Sequence, residues 1–186
     1  MSTEEFDLVV KFNGSNGQDG SNVELDNQVD EIEGIDEIQG VLNPKDPDLY
    51  IKESESLDVV LVELGTDSLE AAKLLSNSNP RVVSTVIPIM KVVKTDLKEI
   101  GSTLKDLATK KMQIGDNFTI ETSVVSNINM KPDAIHEYVE YELQSIDMNF
   151  DEKDPKWKIF VEVVGENTGL NILKAEESDT VLSLKN

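Results

Sequence analysis

Val86-Ile-Pro-Ile-Met-Lys-Val-Val-Lys-Thr-Asp-Leu97 opens the stretch that decides the fold, which continues through Asp116-Asn-Phe-Thr-Ile-Glu-Thr122 to Trp157-Lys-Ile-Phe-Val-Glu-Val163. Thr95 and Asp96, with Glu99 three residues on, form a helix-start signature, because a side-chain oxygen accepts from a backbone N–H that the first turn leaves without a partner. Leu97, Ile100, Leu104 and Leu107 then recur at helical spacing, and Lys98, Lys105 and Lys110 take the opposite face. From Phe118 to Val124 apolar and polar residues alternate, as a half-buried strand requires. Lys131-Pro132-Asp133 begins a second helix, whose Ile135, Val139, Leu143 and Ile146 share one side. Trp157–Val164 and Leu170–Lys174 predict a hairpin joined by the five residues Gly165-Glu-Asn-Thr-Gly169.

Upstream of this stretch, Phe6–Phe12 reads as a strand followed by a flexible Asn/Gly/Ser loop to Asn22. Leu25, Val29 and Ile32 predict a short helix, and residues 34–48, punctuated by Gly34, Gly40, Pro44 and Pro47, predict a strand remnant and loop. Tyr50–Lys52 and Leu57–Leu64 follow as strands around an acidic turn. Thr66 or Asp67 with Glu70 caps a helix that runs to about Ser76, and Val82–Val93 reads as one strand interrupted by Pro88. Residues 6–94 therefore predict β-α-β-β-α-β, the ferredoxin-like order. The expected fold class is α+β, with a ferredoxin-like domain over 1–94 and a second α/β domain over 95–186.

Composition narrows the function. The chain has 186 residues, no cysteine, one histidine and a net charge of −20. Without cysteine there is neither a disulfide framework nor a thiolate metal site. No run is long and apolar enough to span a bilayer, and the N-terminus lacks the basic and apolar regions of a signal peptide, so a cytoplasmic location is expected. The acid load is uneven: residues 1–70 hold 19 acids and 3 bases, residues 71–186 hold 18 acids and 14 bases. A phosphate-binding surface needs clustered cations, so any such surface belongs to the second half.

The second half resembles the THUMP domain, a tRNA-binding module of RNA-modifying proteins. The resemblance rests on the order and spacing of Val86-Ile-Pro88, Val93-Lys-Thr-Asp-Leu97, Asp116-Asn-Phe-Thr-Ile120, Ser145-Ile-Asp147, Pro155-Lys-Trp-Lys-Ile-Phe-Val-Glu162 and Gly165-Glu-Asn-Thr-Gly169. With a ferredoxin-like domain in front and about a dozen residues after the last strand, the chain is similar to stand-alone archaeal THUMP proteins and to the adaptor that assists tRNA cytidine acetylation. That resemblance implies a non-catalytic tRNA binder without cofactor. Its expected partners are tRNA and a separate RNA-modifying enzyme, with no role for DNA or a membrane.

Lys105, Lys110, Lys111, Lys131, Lys156 and Lys158, around Trp157, are the candidate RNA-binding residues, although a solvated charged face explains such lysines equally well. Trp157 either stacks on an unpaired base or packs on a neighbouring helix, the commoner role of a lone tryptophan. His136, beside Glu137 and Glu140, reads as an exposed helix residue. Asp30-Glu31, Glu53/Glu55 and Glu176-Glu177 read as acids of loops or exposed turns without a nucleophile or metal partner. The segment Ser123–Met130 carries no base where the family usually places Arg or Lys. A second expectation follows: an acidic protein-interaction module of the same fold that no longer binds RNA.

Overall fold

Leu8–Phe12 forms β1, and its Leu8, Val10 and Phe12 fall on one face because side chains alternate along a strand. The chain then runs α1 (Val23–Leu42), β2 (Tyr50–Glu53), β3 (Val59–Glu63), α2 (Ser68–Asn77) and β4 (Val83–Pro88). The strands pair in the order β2-β3-β1-β4, every pair antiparallel, which is the ferredoxin-like arrangement. Ile38 and Leu42 of α1 and Ala71, Ala72 and Leu75 of α2 close the core with Val60, Val62, Val83 and Val86 of the sheet. The computed structural model describes residues 4–13, 23–126 and 129–182. The Gly/Asn/Ser segment 14–22 and residues 127 and 128 lie outside that set.

The second unit contains β5 (Lys91–Lys94), α3 (Leu97–Lys111), β6 (Asn117–Val124), α4 (Pro132–Gln144), β7 (Asn149–Phe150), β8 (Trp157–Val164), β9 (Asn167–Lys174) and the start of α5 (Ala175–Leu182). Its sheet has the order β5-β9-β8-β6-β7, with β6 parallel to both β7 and β8 and the remaining pairs antiparallel. Ile100, Leu104 and Ala108 of α3 and Ile135, Val139 and Leu143 of α4 cover the face made by Phe118, Trp157, Ile159, Val161, Leu170 and Ile172. Burying each such aliphatic or aromatic side chain contributes roughly 1.5–3 kcal/mol relative to leaving it in water. The caps are those expected. Asp67 Oδ1 accepts from the Glu70 amide at 3.0 Å, Asp96 Oδ1 accepts from the Glu99 amide at 3.1 Å, and Pro132 opens α4.

Four expectations need correction. The apolar run 82–93 is two strands in two different sheets, so the units divide at Pro88/Ile89 rather than at residue 94, and residues 4–5 group with the second unit while residues 180–182 group with the first. Residues 34–42 are not a strand remnant but the second half of α1, because Gly34 replaces bulk where the helix meets the Phe12 ring. Ladder pairing in the last hairpin continues to Val164 and Asn167, leaving a two-residue Gly165-Glu166 turn with Gly165 at φ +63°. Asp30 and Glu31 lie on α1 rather than in a loop, and Glu31 is buried; Glu176 and Glu177 lie on α5.

Candidate nucleic-acid interface

The site grows from the end of α3. Two lysines close this helix, where cations also complement the partial negative charge of the last carbonyls. Lys110 is exposed. Lys111 turns inward, its Nζ donating to the Ile172 carbonyl at 2.8 Å, and so ties the helix end to β9. The chain then makes a tight turn. Asp116 N donates to Gln113 O at 2.9 Å, and Gln113 N donates back to Asp116 Oδ2 at 2.9 Å, with Gly115 at φ +88° supplying the left-handed position of a type II turn.

Asp116 organises the next layer. Its Oδ2 also accepts from Trp157 Nε1 at 3.0 Å, and its Oδ1 pairs with Lys156 Nζ at 3.1 Å. The Gln113 amide first, then the indole N–H and the Lys156 ammonium, hold this carboxyl below its ordinary value against the opposing effect of burial. Trp157 is 7% exposed and packs in the core, so it is not a free platform for a base; packing is its role here. The hairpin register places Lys174 opposite Trp157, with its Nζ 5.9 Å from the ring centroid, in cation–π range. A cleft of about 600 Å³ opens beside these groups, lined by Asn117, Asp154, Pro155, Lys156, Lys174 and Glu176. Asp151 fixes its rim by accepting from the Lys153 and Asp154 amides at 3.0 and 3.2 Å, and those amides, that of Asp154 foremost, hold its carboxyl below the ordinary value.

The sequence-predicted cations do not all meet. Lys110, Lys111, Lys156 and Lys158 gather at the end of the unit where β6 and β8 begin. Lys158 pairs with Glu121 at 3.8 Å, and Lys105, further up α3, pairs with Glu142 of α4 at 3.0 Å. Both pairs are partly exposed, Lys158 at 22% and Glu142 at 19%, and solvent screening keeps pairs of this kind weak. Lys131 stands elsewhere. It caps the start of α4, and α4 carries the chain back from the Val124 end of β6 to β7 beside Asn117, roughly 20 Å away at helical rise. Two members were missed: Lys174, whose place opposite Trp157 only the register reveals, and Asp116, whose role depends on contacts far apart in sequence. His136 is half-buried, its ring edge-on to Phe150 with centroids 5.1 Å apart and its Nε2 3.5 Å from Glu140.

Residues 94–173, which contain this whole constellation except Lys174, match the family model described as the THUMP domain. These residues form a THUMP domain. No curated protein matches the full sequence. Among solved structures, PH1313 from Pyrococcus horikoshii OT3 is similar over 91% of this chain and 55% of its own, with TM-score 0.64 and 16% identity. A 4-thiouridine synthetase in complex with RNA and ATP is similar over 91% and 42%, with TM-score 0.54 and 13% identity. TrmN from Thermus thermophilus is similar over 90% and 45%, with TM-score 0.54 and 13% identity. The chain thus spans about half the length of these proteins, and at such identity the likeness is one of fold.

Proposed function

We propose that this chain binds tRNA through the basic end of its THUMP domain and presents it to a separate RNA-modifying enzyme, without catalysing the modification itself. The observation that carries the reading is the placement of Lys110, Lys111, Lys156, Lys158 and Lys174 at one end of a THUMP domain inside an otherwise acidic chain. Phosphate contacts of this kind supply affinity by counterion release and need several cations acting together. The likeness to a 4-thiouridine synthetase seen in complex with RNA supports an RNA ligand. In support of this reading, Asp116 and Asp151 are occupied in holding backbone amides and neighbouring side chains. A tRNA cytidine acetyltransferase is the partner class proposed, on the resemblance of the sequence to the adaptor that assists tRNA cytidine acetylation.

Gel-shift measurement with total tRNA at 50 and 200 mM salt, on the order of the range over which phosphate-dominated binding weakens steeply, tests the RNA ligand. A shift that fades with salt is expected; no shift at the lower salt overturns it. The heavy acid load of residues 1–70 favours a second reading, in which that half docks a basic protein. Capture of partners from nuclease-treated lysate separates the two. Partners that survive RNA removal, joined to absent tRNA binding, select the acidic-module reading.

A further inference from the structure

A second cleft, of about 220 Å³, opens in the first unit between the end of α1 and the first turns of α2, with Leu42, Ala71 and Leu74 among its walls. Asp46 lines it. This residue is only 4% exposed, and a buried carboxylate costs the fold unless its oxygens are matched. One oxygen is matched: Oδ2 accepts from the Gly65 amide at 2.8 Å, the Thr66 amide at 3.1 Å and the Thr66 hydroxyl at 3.1 Å. The other, Oδ1, takes no hydrogen bond from any described residue yet is not sealed off, so it meets solvent through the cleft. Gly65 keeps it uncovered, since a Cβ there would stand 3.3 Å from that oxygen. At the rim Glu70 and Lys45 are both exposed, and neither forms an ion pair among the described residues. Two carboxylates against one ammonium leave the cleft anionic. The partial positive charge at the start of α2 does not reverse this, because Asp67 caps the Glu70 amide and Asp46 Oδ2 holds the two amides ahead of the helix.

We infer that this cleft seats one lysine side chain of a protein that docks on the first unit: the methylene stem lies along Leu42, Ala71 and Leu74, and the ammonium donates to Asp46 Oδ1 with Glu70 beside it. Volume sets the class of occupant. A space of about 220 Å³ falls below the roughly 300–1,000 Å³ of small-molecule sites and suits a single side chain. Apolar walls that end at a carboxylate match a long stem with a charged head. A lone free oxygen suits the compact ammonium of lysine, whereas a guanidinium gains most from two parallel acceptors. The 19 acids against 3 bases in residues 1–70 draw a basic partner toward this unit. The inference rests on there being a protein partner, which both functional readings above require, and not on RNA binding.

Amide chemical shifts of the isotope-labelled full chain, titrated with three blocked tripeptides, test it. Each peptide carries one side chain between two alanines: lysine, diaminopropionate, which keeps the amine without the stem, or norleucine, which keeps the stem without the amine. Saturable shifts of the Gly65, Thr66 and Ala71 amides are expected with the lysine peptide, and affinity at least about fivefold weaker with the other two, which lack either the buried stem or the charged hydrogen bond. Glu70→Gln is expected to weaken the lysine peptide about two- to fivefold, as loss of a partly exposed ion pair does. Asp46→Asn is expected to weaken it at least about tenfold, because the amide oxygen still serves Gly65 and Thr66 while the NH2 group meets the ammonium. Absence of saturable shifts overturns the inference, and so does equal affinity for the lysine and diaminopropionate peptides, which marks attraction to the acidic surface at large. If Asp46→Asn does not fold, Glu70→Gln decides alone, and an unchanged affinity overturns the site. Spermidine that saturates the same amides while the lysine peptide leaves them unmoved assigns the cleft to a free polyamine and overturns partner docking. None of these titrations contains RNA, so their failure leaves the tRNA reading standing.

Discussion

Asp116 shows how a residue that looks like an ordinary loop acid becomes the centre of a site. One carboxylate closes the Gln113–Asp116 turn, accepts the indole N–H of the single tryptophan and fastens Lys156. Its replacement by alanine leaves a nearly buried indole N–H without an acceptor and is expected to cost about 1–3 kcal/mol, read from urea unfolding followed by Trp157 fluorescence. The carboxyl is held below its ordinary value in the folded chain, so its contribution is fully present above the unfolded aspartate range, near about 4, and is lost as pH falls through the lower folded value. Asp116→Ala should therefore flatten the acid limb of the stability profile; an acid limb identical to the parent's would remove Asp116 from this role. The lysines themselves were legible from sequence as residue types. Which were available was not, since Lys111 is committed to a carbonyl 61 positions away and Lys174 comes into the site only through the register of a hairpin.

At the scale of elements, α3 and α4 were readable because each declares its start and keeps an unbroken apolar stripe. The first helix hid its second half. Gly34 and Gly40 read as breakers, whereas Gly34 is small so that α1 can lie on Phe12: a Cβ there would fall 2.2 Å from Cε1 of that buried ring. Two effects compete in Gly34→Ala. Helix propensity favours alanine by about 1 kcal/mol, while overpacking typically costs about 1–3 kcal/mol and here meets a ring locked in the core. Net destabilisation is expected, seen as a lower melting temperature; a higher one would mean that the ring moves aside freely. The division of residues 82–93 between two sheets was likewise illegible, because pairing partners are distant: β4 lies on β1, and β5 lies on β9. Pro88 marked the place without stating the reason.

For the whole molecule, charge is the organising fact. The first unit concentrates acids on and around α1, and burial raises the Glu31 carboxyl above its ordinary value, with Glu53 adding repulsion. For an acid so shifted the ionised form is the strained one, so the penalty is present at neutral pH and is relieved as pH falls through the raised value. Glu31→Gln should accordingly raise the melting temperature at neutral pH, by an amount that shrinks in mild acid; a lower melting temperature at neutral pH would contradict this. On the proposed reading, a chain of net charge −20 would hold RNA where cations are gathered, at the end of the THUMP domain marked by Lys110 and Lys174. The most direct measurement is the salt dependence of tRNA affinity for the parent and for Lys110→Glu with Lys174→Glu, a pair that spares the structural ammonium of Lys111. Binding through this end predicts weaker affinity and a log–log salt slope reduced in magnitude by roughly one to two. An affinity and a slope unchanged from the parent would place the RNA elsewhere on the molecule and contradict the account.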